Sequence, residues 1–361
     1  MSPLIDDALA GPLFGLDAAE RERRLFPVLA ELTRHHVAAS REYRRIVEAL
    51  FPAWRHATTV AELPYLPVGI FKQRTIKSIP DAEVFKTITS SGTTGQAPSR
   101  VHVDRTTANR QTRALTSIMG AVLGPVRRPM LIVDTDAILR DRTGRTARAA
   151  GVVGLMTLGR KHVFLLDETM REQRDRLETF VTEHVDTPKL IFGFTFMVWQ
   201  HLVETFGATG VDLSGSTVVH SGGWKNLEER SVDNDTFKRR LANDFGIDHV
   251  VNFYGMAEQV GSVFVEGDDS RLHASSFAEV IVRDPVTWAP QPVGEPGVVQ
   301  VLSCVPTSYP GHSILTEDLG VVDAVDTPGD PLGGKAFRIL GRLPRSELRG
   351  CSDTYASAHG R

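Results

Sequence analysis

Apolar residues recur every three to four positions through residues 17–51, where Leu25, Val28, Leu29, Leu32, Tyr43, Ile46, Val47 and Leu50 stand among arginines and glutamates. That spacing predicts an amphipathic helix or helix pair, opened by Asp17 as N-cap. Residues 64–72 are expected to run extended, because two prolines punctuate them. Residues 85–89 and 100–103 predict strands on either side of a Ser/Thr/Gly run, and 106–123 a helix. From residue 129 short apolar runs alternate with helical patterns. Strands are expected at 130–133, 163–166, 189–192, 216–220 and 249–253, and a small-residue turn or helix at 146–153. Helices are expected at 168–184, 196–206 and 235–245. Short buried strands between helices predict an α/β domain with a mostly parallel sheet covered on both faces. After about residue 275 the helices stop. Strands at 277–282, 297–305, 320–325 and 336–340, separated by Pro/Gly turns, predict an attached antiparallel sheet or small barrel. The expected division is a helical part (1–60), an α/β core (61–275), an antiparallel β subdomain (276–341) and a short tail (342–361).

Composition narrows the classes. The chain has 361 residues and a formal net charge of −3. A near-neutral balance without a basic stripe gives no nucleic-acid footprint. No apolar run is long enough to cross a bilayer, and residues 1–11 lack the basic start and apolar core of a secretory leader. Two cysteines, Cys304 and Cys351, are too few for a disulfide framework or a zinc site. A cytoplasmic protein with reduced thiols is expected.

The chemistry gathers in a few loops. Thr89-Ser90-Ser91-Gly92-Thr93-Thr94-Gly95 offers hydroxyls and backbone N–H groups on a glycine-permitted turn, which suits a phosphate. No lysine follows Gly95, so it is not the lysine-bearing P-loop, and a solvated Ser/Thr/Gly loop is the alternative. Two strands expected in the parallel sheet end in unusual loops: His220-Ser221-Gly222-Gly223-Trp224-Lys225 and Tyr254-Gly255-Met256-Ala257-Glu258. Ligands of open α/β sheets bind beyond such carboxyl ends. Glu258 is a hard oxygen ligand suited to Mg²⁺. Asp318, in Leu315-Thr316-Glu317-Asp318-Leu319-Gly320, is expected at a turn where it accepts ribose hydroxyls, and Gly341-Arg342 follows. Gly329-Asp330-Pro331-Leu332-Gly333-Gly334-Lys335-Ala336 imitates a phosphate loop but lacks the metal-binding hydroxyl and leads into a strand, so it is expected to be a turn. Phe192, Phe194 and Met197 suit an acyl pocket, and equally well plain core packing.

In this order the motifs resemble the adenylate-forming superfamily of acyl-CoA synthetases and peptide-synthetase adenylation domains. Gly294-Glu295-Pro296-Gly297 before a strand is similar to that superfamily too. Pro67-Val68-Gly69-Ile70-Phe71-Lys72, His220-Ser221-Gly222-Gly223-Trp224-Lys225 and Arg349-Gly350-Cys351-Ser352-Asp353 resemble the LuxE-type acyl-protein synthetases. The resemblance implies an adenylate-forming fold and ATP-dependent activation of a fatty acid as acyl-AMP. The acyl group would then pass to Cys351 and on to an acyl reductase partner. It implies that Ser90, Ser91, Gly92, Thr93, Thr94 and Gly95 hold the β- and γ-phosphates. Gly222 and Gly223 would border adenine, Tyr254 (with Gly255 and Met256 beside it) would stack on it, Glu258 would bind Mg²⁺, and Asp318 with Arg342 would hold the ribose.

There are departures from the pattern. Ala257 stands where a hydroxyl is usual, and Pro344 where larger relatives have a hinge aspartate. Those relatives continue into a lid domain carrying a catalytic lysine, whereas ten residues follow Cys351 here. The lid is therefore expected to be missing and its cation to come from elsewhere, with Lys225 the candidate. A CoA ligase releasing a diffusible thioester and a non-catalytic nucleotide-binding subunit remain as alternatives.

Overall fold

The computed structural model describes residues 2–90, 98–140, 147–224 and 231–343. Helices α1 (Ser2–Ala10), α2 (Ala18–Ala39) and α3 (Arg41–Leu50) come first. The Asp17 side chain accepts from the backbone N–H of Glu20 at 2.7 Å and Ser40 caps α3, so the expected helix pair is borne out with its cap. Strand β1 (Leu66–Pro67) and the short helix α4 (Ile70–Gln73) replace most of the extended run expected at 64–72. Strands β2 (Lys86–Thr89) and β3 (Arg100–Val103) form a separate antiparallel pair, and α5 (Arg105–Leu123) follows.

The alternating region gives β4 (Arg128–Thr135), α6 (Ala147–Met156), β5 (Gly159–Leu166), α7 (Arg174–Glu183) and β6 (Lys189–Phe194). Helices α8 (Thr195–Met197) and α9 (Glu204–Phe206) flank a π-helical stretch, Val198–Val203. Then come β7 (Ser216–Ser221), α10 (Asn234–Phe245) and β8 (His249–Tyr254). Helix α7 begins later than 168 because the Asp167 carboxylate accepts from the N–H groups of Thr169 and Arg171, at 2.8 and 3.0 Å. That side-chain-stabilised turn outcompetes the helix.

The last third contributes β9 (Phe264–Glu266), β10 (Leu272–His273), β11 (Ala278–Arg283), β12 (Gly297–Ser303), β13 (Ser313–Val325) and β14 (Lys335–Arg342). One sheet runs β11-β12-β13-β14-β10-β9-β8-β7-β6-β4-β5, with β1 added in parallel to β13. Its parallel half, β8-β7-β6-β4-β5, joins its antiparallel half at β8, which pairs in parallel with β7 and antiparallel with β9. The short strands β9 and β10 were not expected from the sequence, and they make the two halves continuous.

The parallel strands are apolar on both faces. Met130, Ile132, Leu190, Phe192 and Val219 face a core shared with α5 and α6, while their neighbours Leu131, Val133, Ile191 and Val218 face one shared with α7, α10 and 195–206. Alternation with period two across a covered sheet explains why these strands read as unbroken apolar runs.

Helix α2 is pinned to the antiparallel half through buried polar groups. His36 and His312 stack with centroids 4.9 Å apart, His36 Nδ1 lies 2.7 Å from Ser78 Oγ, and Thr33 Oγ1 lies 3.0 Å from His312 Nε2. Burial holds both imidazoles in the neutral form, His312 at about 3 and His36 well below its usual value. The unfolded chain therefore binds more protons. The stability this gives is complete above about pH 6.5 and is lost as pH falls toward 3, by up to about 1.4 kcal/mol per pH unit for each such group. Thermal denaturation followed from pH 7 to pH 4 should show Tm falling steeply, and His312→Asn should flatten that slope. An equal slope in the variant would remove the histidine pair as its origin.

Candidate active site

The carboxyl ends of β6, β7 and β8 lie side by side, with Phe194 opposite Ser221 and Ser221 opposite Phe253. Gly222 takes φ 85° immediately after β7, a conformation that favours glycine. A side chain there would meet the Phe194 ring at 3.4 Å. The glycine pair is anchored beyond by Trp224, whose ring lies edge-on to Trp199 at 5.6 Å. Trp199 belongs to the π-helical stretch, and a widened turn of this kind often marks a functional position. Beneath the pair, buried His220 donates to or accepts from Thr195 Oγ1 at 2.9 Å, and burial lowers its pKa to about 3.

Next to it, Tyr254 ends β8 and its hydroxyl donates to Asp318 Oδ2 at 2.6 Å. Burial and then the Asp318 charge push the phenol well up, so it stays a donor. Asp318 lies within β13 and not at a turn. Val298 pairs with Leu319 and Gln300 with Leu315, so Thr316, Glu317 and Asp318 together oppose Val299 alone. The strand bulges where a turn was expected, and Thr316 Oγ1 ties the bulge to the Val299 carbonyl at 2.8 Å. Bulges re-aim side chains without ending a strand. On its other edge β13 sets Asp318 opposite Arg342, with Nε 3.7 Å from Oδ1. Burial raises the Asp318 carboxyl, against the opposing effects of Tyr254 and Arg342.

Glu258 sits in the single 3-10 turn Ala257–Gln259 that follows Gly255 and Met256, and it is 5% exposed. Its backbone carbonyl accepts from the Tyr309 hydroxyl at 2.8 Å, which fixes the turn. Burial raises its carboxyl, opposed by the Ser99 hydroxyl and by the charge of Lys72. Ser99 closes the base of the hydroxyl-rich loop: its N–H donates to Ser90 Oγ at 2.9 Å, and Ser90 N–H donates back to the Ser99 carbonyl at 3.2 Å. Ser90 is thus linked through Ser99 to the Glu258 carboxylate.

Lys72 was not among the residues singled out for chemistry. It lies on α4, which β1 carries to the bulge of β13, and its Nζ is 3.4 Å from Glu317 Oε2. The fold therefore brings together Ser90, Gly222, Gly223, Tyr254, Gly255, Met256, Glu258, Asp318 and Arg342, and adds Lys72, Glu317 and Ser99. Ser91, Gly92, Thr93, Thr94, Gly95, Lys225 and Cys351 lie outside the described residues. A cavity of about 760 Å³ lies elsewhere, between α2, α3 and residues 54–63, and holds none of these groups.

A bulged antiparallel half joined at β8 to a parallel half, with the site residues at their seam, is the arrangement of an adenylate-forming ligase fold. Solved structures of 2-hydroxyisobutyryl-CoA ligase share it: with the complex in the postadenylation state with 2-HIB-AMP, the TM-score is 0.68 over 91% of this chain and 69% of that one, at 16% identity. With an open conformation bound to 2-HIB-AMP and CoA, the TM-score is 0.66 over 91% and 71%, at 17% identity. The chain belongs to the acyl-protein synthetase, LuxE family, whose sequence model matches residues 5–359. It is similar to two long-chain-fatty-acid–luciferin-component ligases. That of Aliivibrio fischeri is 24% identical over 309 residues (83% of this chain, 79% of the relative). That of Vibrio harveyi is 23% identical over 337 residues (90% and 85%). The resemblance drawn from the motifs is thus borne out. Among the described residues no helix is long and apolar enough to cross a membrane.

Proposed function

We propose that this chain activates a long-chain fatty acid with ATP as acyl-AMP and then takes the acyl group onto Cys351 for delivery to an acyl reductase. The observation that carries this reading is the meeting of Gly222–Gly223, Tyr254, Asp318, Glu258 and Lys72 at one sheet seam. Family membership and the fatty-acid ligases among the relatives support the substrate class.

In the first step a carboxylate oxygen bonds to the α-phosphorus, and the bond to the bridging oxygen breaks as pyrophosphate leaves with the electron pair. Such chemistry rests on positioning and on fixed charge. The flat glycine pair after β7 would border the adenine, and Tyr254 would lie against it. Tyr254 holds one oxygen of Asp318, leaving the other for a ribose hydroxyl, with Arg342 alongside. Lys72 would face the charge on the carboxylate and α-phosphate. Glu258 is a buried carboxylate whose charge is only partly offset by Lys72, a donor that fits Mg²⁺. When bound, Mg²⁺ would lower the charge of the leaving pyrophosphate. In the second step the Cys351 thiolate would attack the acyl carbonyl and AMP would leave.

Purified protein with ATP, Mg²⁺ and fatty acids of graded length should exchange pyrophosphate into ATP and gain an acyl mass. Absence of exchange with every acid would reject the reading. Glu258→Gln keeps the shape and removes the charge. Its exchange should need several-fold more Mg²⁺, and a titration curve identical to the parent's would take Glu258 out of the metal site.

A further inference from the structure

Helix α2 carries Pro27 in its interior. A proline there has no N–H for the Arg23 carbonyl, and its ring presses on that turn, so the helix bears a cost that an ordinary residue would avoid. The cost falls on the wall of the cavity between α2, α3 and residues 54–63, where Pro27 is exposed. Departures of this kind from local preference concentrate at functional places. The space is about 760 Å³, within the range of small-molecule sites, roughly 300–1,000 Å³. Its floor is apolar: Ala30, Val37, Trp54 and Leu63 belong to the buried core, and Phe26 packs against it.

The rim is cationic. Arg34, Arg44 and Arg55 line the cavity against one carboxylate, Glu48. Arg34 pairs with Glu31 at 2.8 Å along α2, while Arg55 lies 4.0 Å from Glu48 and 4.5 Å over the Trp54 ring. Arg44 differs. Its Nε and Nη2 donate to the carbonyls of Val37 and Ala38, each at 2.8 Å, which holds the guanidinium at the end of α2. Those bonds use part of its N–H fork on neutral carbonyls and leave its charge for an anion. An apolar floor under a cationic rim fits an amphipathic anion. A concave space of this size suits a small molecule better than the broad area a protein partner covers, about 800 Å² a side.

We infer that this cavity is a second binding site, apart from the cleft, for a long-chain carboxylate. The carboxylate lies at Arg44, and the chain runs over Phe26, Val37 and Trp54. The choice of a fatty acid among amphipathic anions rests on the fatty-acid reading above. None of the adenylation groups lines the cavity, so an acid bound here is held and not activated. Each added methylene should tighten binding, by up to about fourfold, until the floor is covered. A ligand that binds only the folded chain also raises Tm as its concentration rises.

The test is photolabelling. Tetradecanoate carrying a diazirine near its methyl end, photolysed with the parent protein in the absence of ATP, should label residues 26–38 or 54–63 saturably. Unlabelled tetradecanoate should compete, and uncharged tetradecanol should not. Ala38 and Arg44 are both exposed at the cavity. Arg44→Gln removes the charge and Ala38→Phe fills the space, and each should weaken this labelling about tenfold while fatty-acid-dependent pyrophosphate exchange stays near parental. Ala38→Phe decides the matter if Arg44→Gln does not fold. Labelling of neither segment, equal displacement by tetradecanol, or displacement only by coenzyme A or by an amphipathic Leu/Glu peptide would overturn the assignment and leave fatty-acid activation intact. A parent protein without fatty-acid-dependent exchange would reject the activation reading, whereas saturable labelling of 26–38 or 54–63 in that protein would still support this site.

Discussion

Lys72→Ala is expected to lower fatty-acid-dependent pyrophosphate exchange by about 10²–10³-fold, the usual cost of removing one preorganised charge from a site where charge develops. The fold should hardly notice. Lys72 pairs with Glu317 at 3.4 Å on side chains that are 24% and 36% exposed, and a pair so open to solvent contributes little to stability. Tm should stay within a degree or two of the parent. Loss of the lysine also strips Glu258 of the cation that opposes its burial. The Mg²⁺ requirement of the variant should therefore change in the same assay. Lys72→Arg keeps a charge but not its compact shape, so partial recovery is expected. Full activity in a folded Lys72→Ala protein would return the catalytic cation to Lys225 or to another residue.

That lysine shows where reading the sequence stops. The helices, the buried strands and the order of the loops follow from local periodicity and glycine placement, and each needs only a few neighbouring residues to be seen. Lys72 meets Glu317 across 245 positions, because β1 happens to pair with β13. No local pattern encodes that meeting. The sequence reads Thr316–Asp318 as a turn ahead of a strand at 320–325, whereas it is a bulge inside β13, and a turn and a bulge carry similar residues. Only the pairing of Val298 with Leu319 and Gln300 with Leu315 separates the two.

Arg21 is a further instance. Its spacing from Leu25, Val28 and Leu29 puts it on the apolar face of α2, and it is 1% exposed. What the spacing does not show is its partners, the carbonyls of Ala274 and Ser275, to which its guanidinium donates. The same guanidinium fills the space where a side chain at Gly334 would stand, 2.8 Å from an added Cβ, and Gly334 itself has φ 70°. The glycine looked like part of a failed phosphate loop. Its use is to admit an arginine from the other end of the chain.

The last expectation separates the two half-reactions. Adenylation takes place at phosphorus and needs no protein nucleophile, whereas capture of the acyl group needs a thiolate. Cys304 is a poor candidate for capture: it is fully buried in the core, and burial pushes its thiol up to about 12. A thiol with so little thiolate near neutral pH is inert. Cys351 stands next to Gly350 and near Arg349 in the sequence, where a neighbouring cation favours the ionised form. Cys351→Ser should therefore keep parental pyrophosphate exchange with a fatty acid present and lose the acyl adduct seen by intact mass. Serine is nearly the same size and far less ionised, so the loss reports nucleophilicity. Neutral hydroxylamine should remove the adduct from the parent, as it does from a thioester. An adduct retained at the parental level in Cys351→Ser, or one that maps to Cys304, would exclude the Cys351 mechanism and favour transfer of the acyl-adenylate to a diffusible thiol.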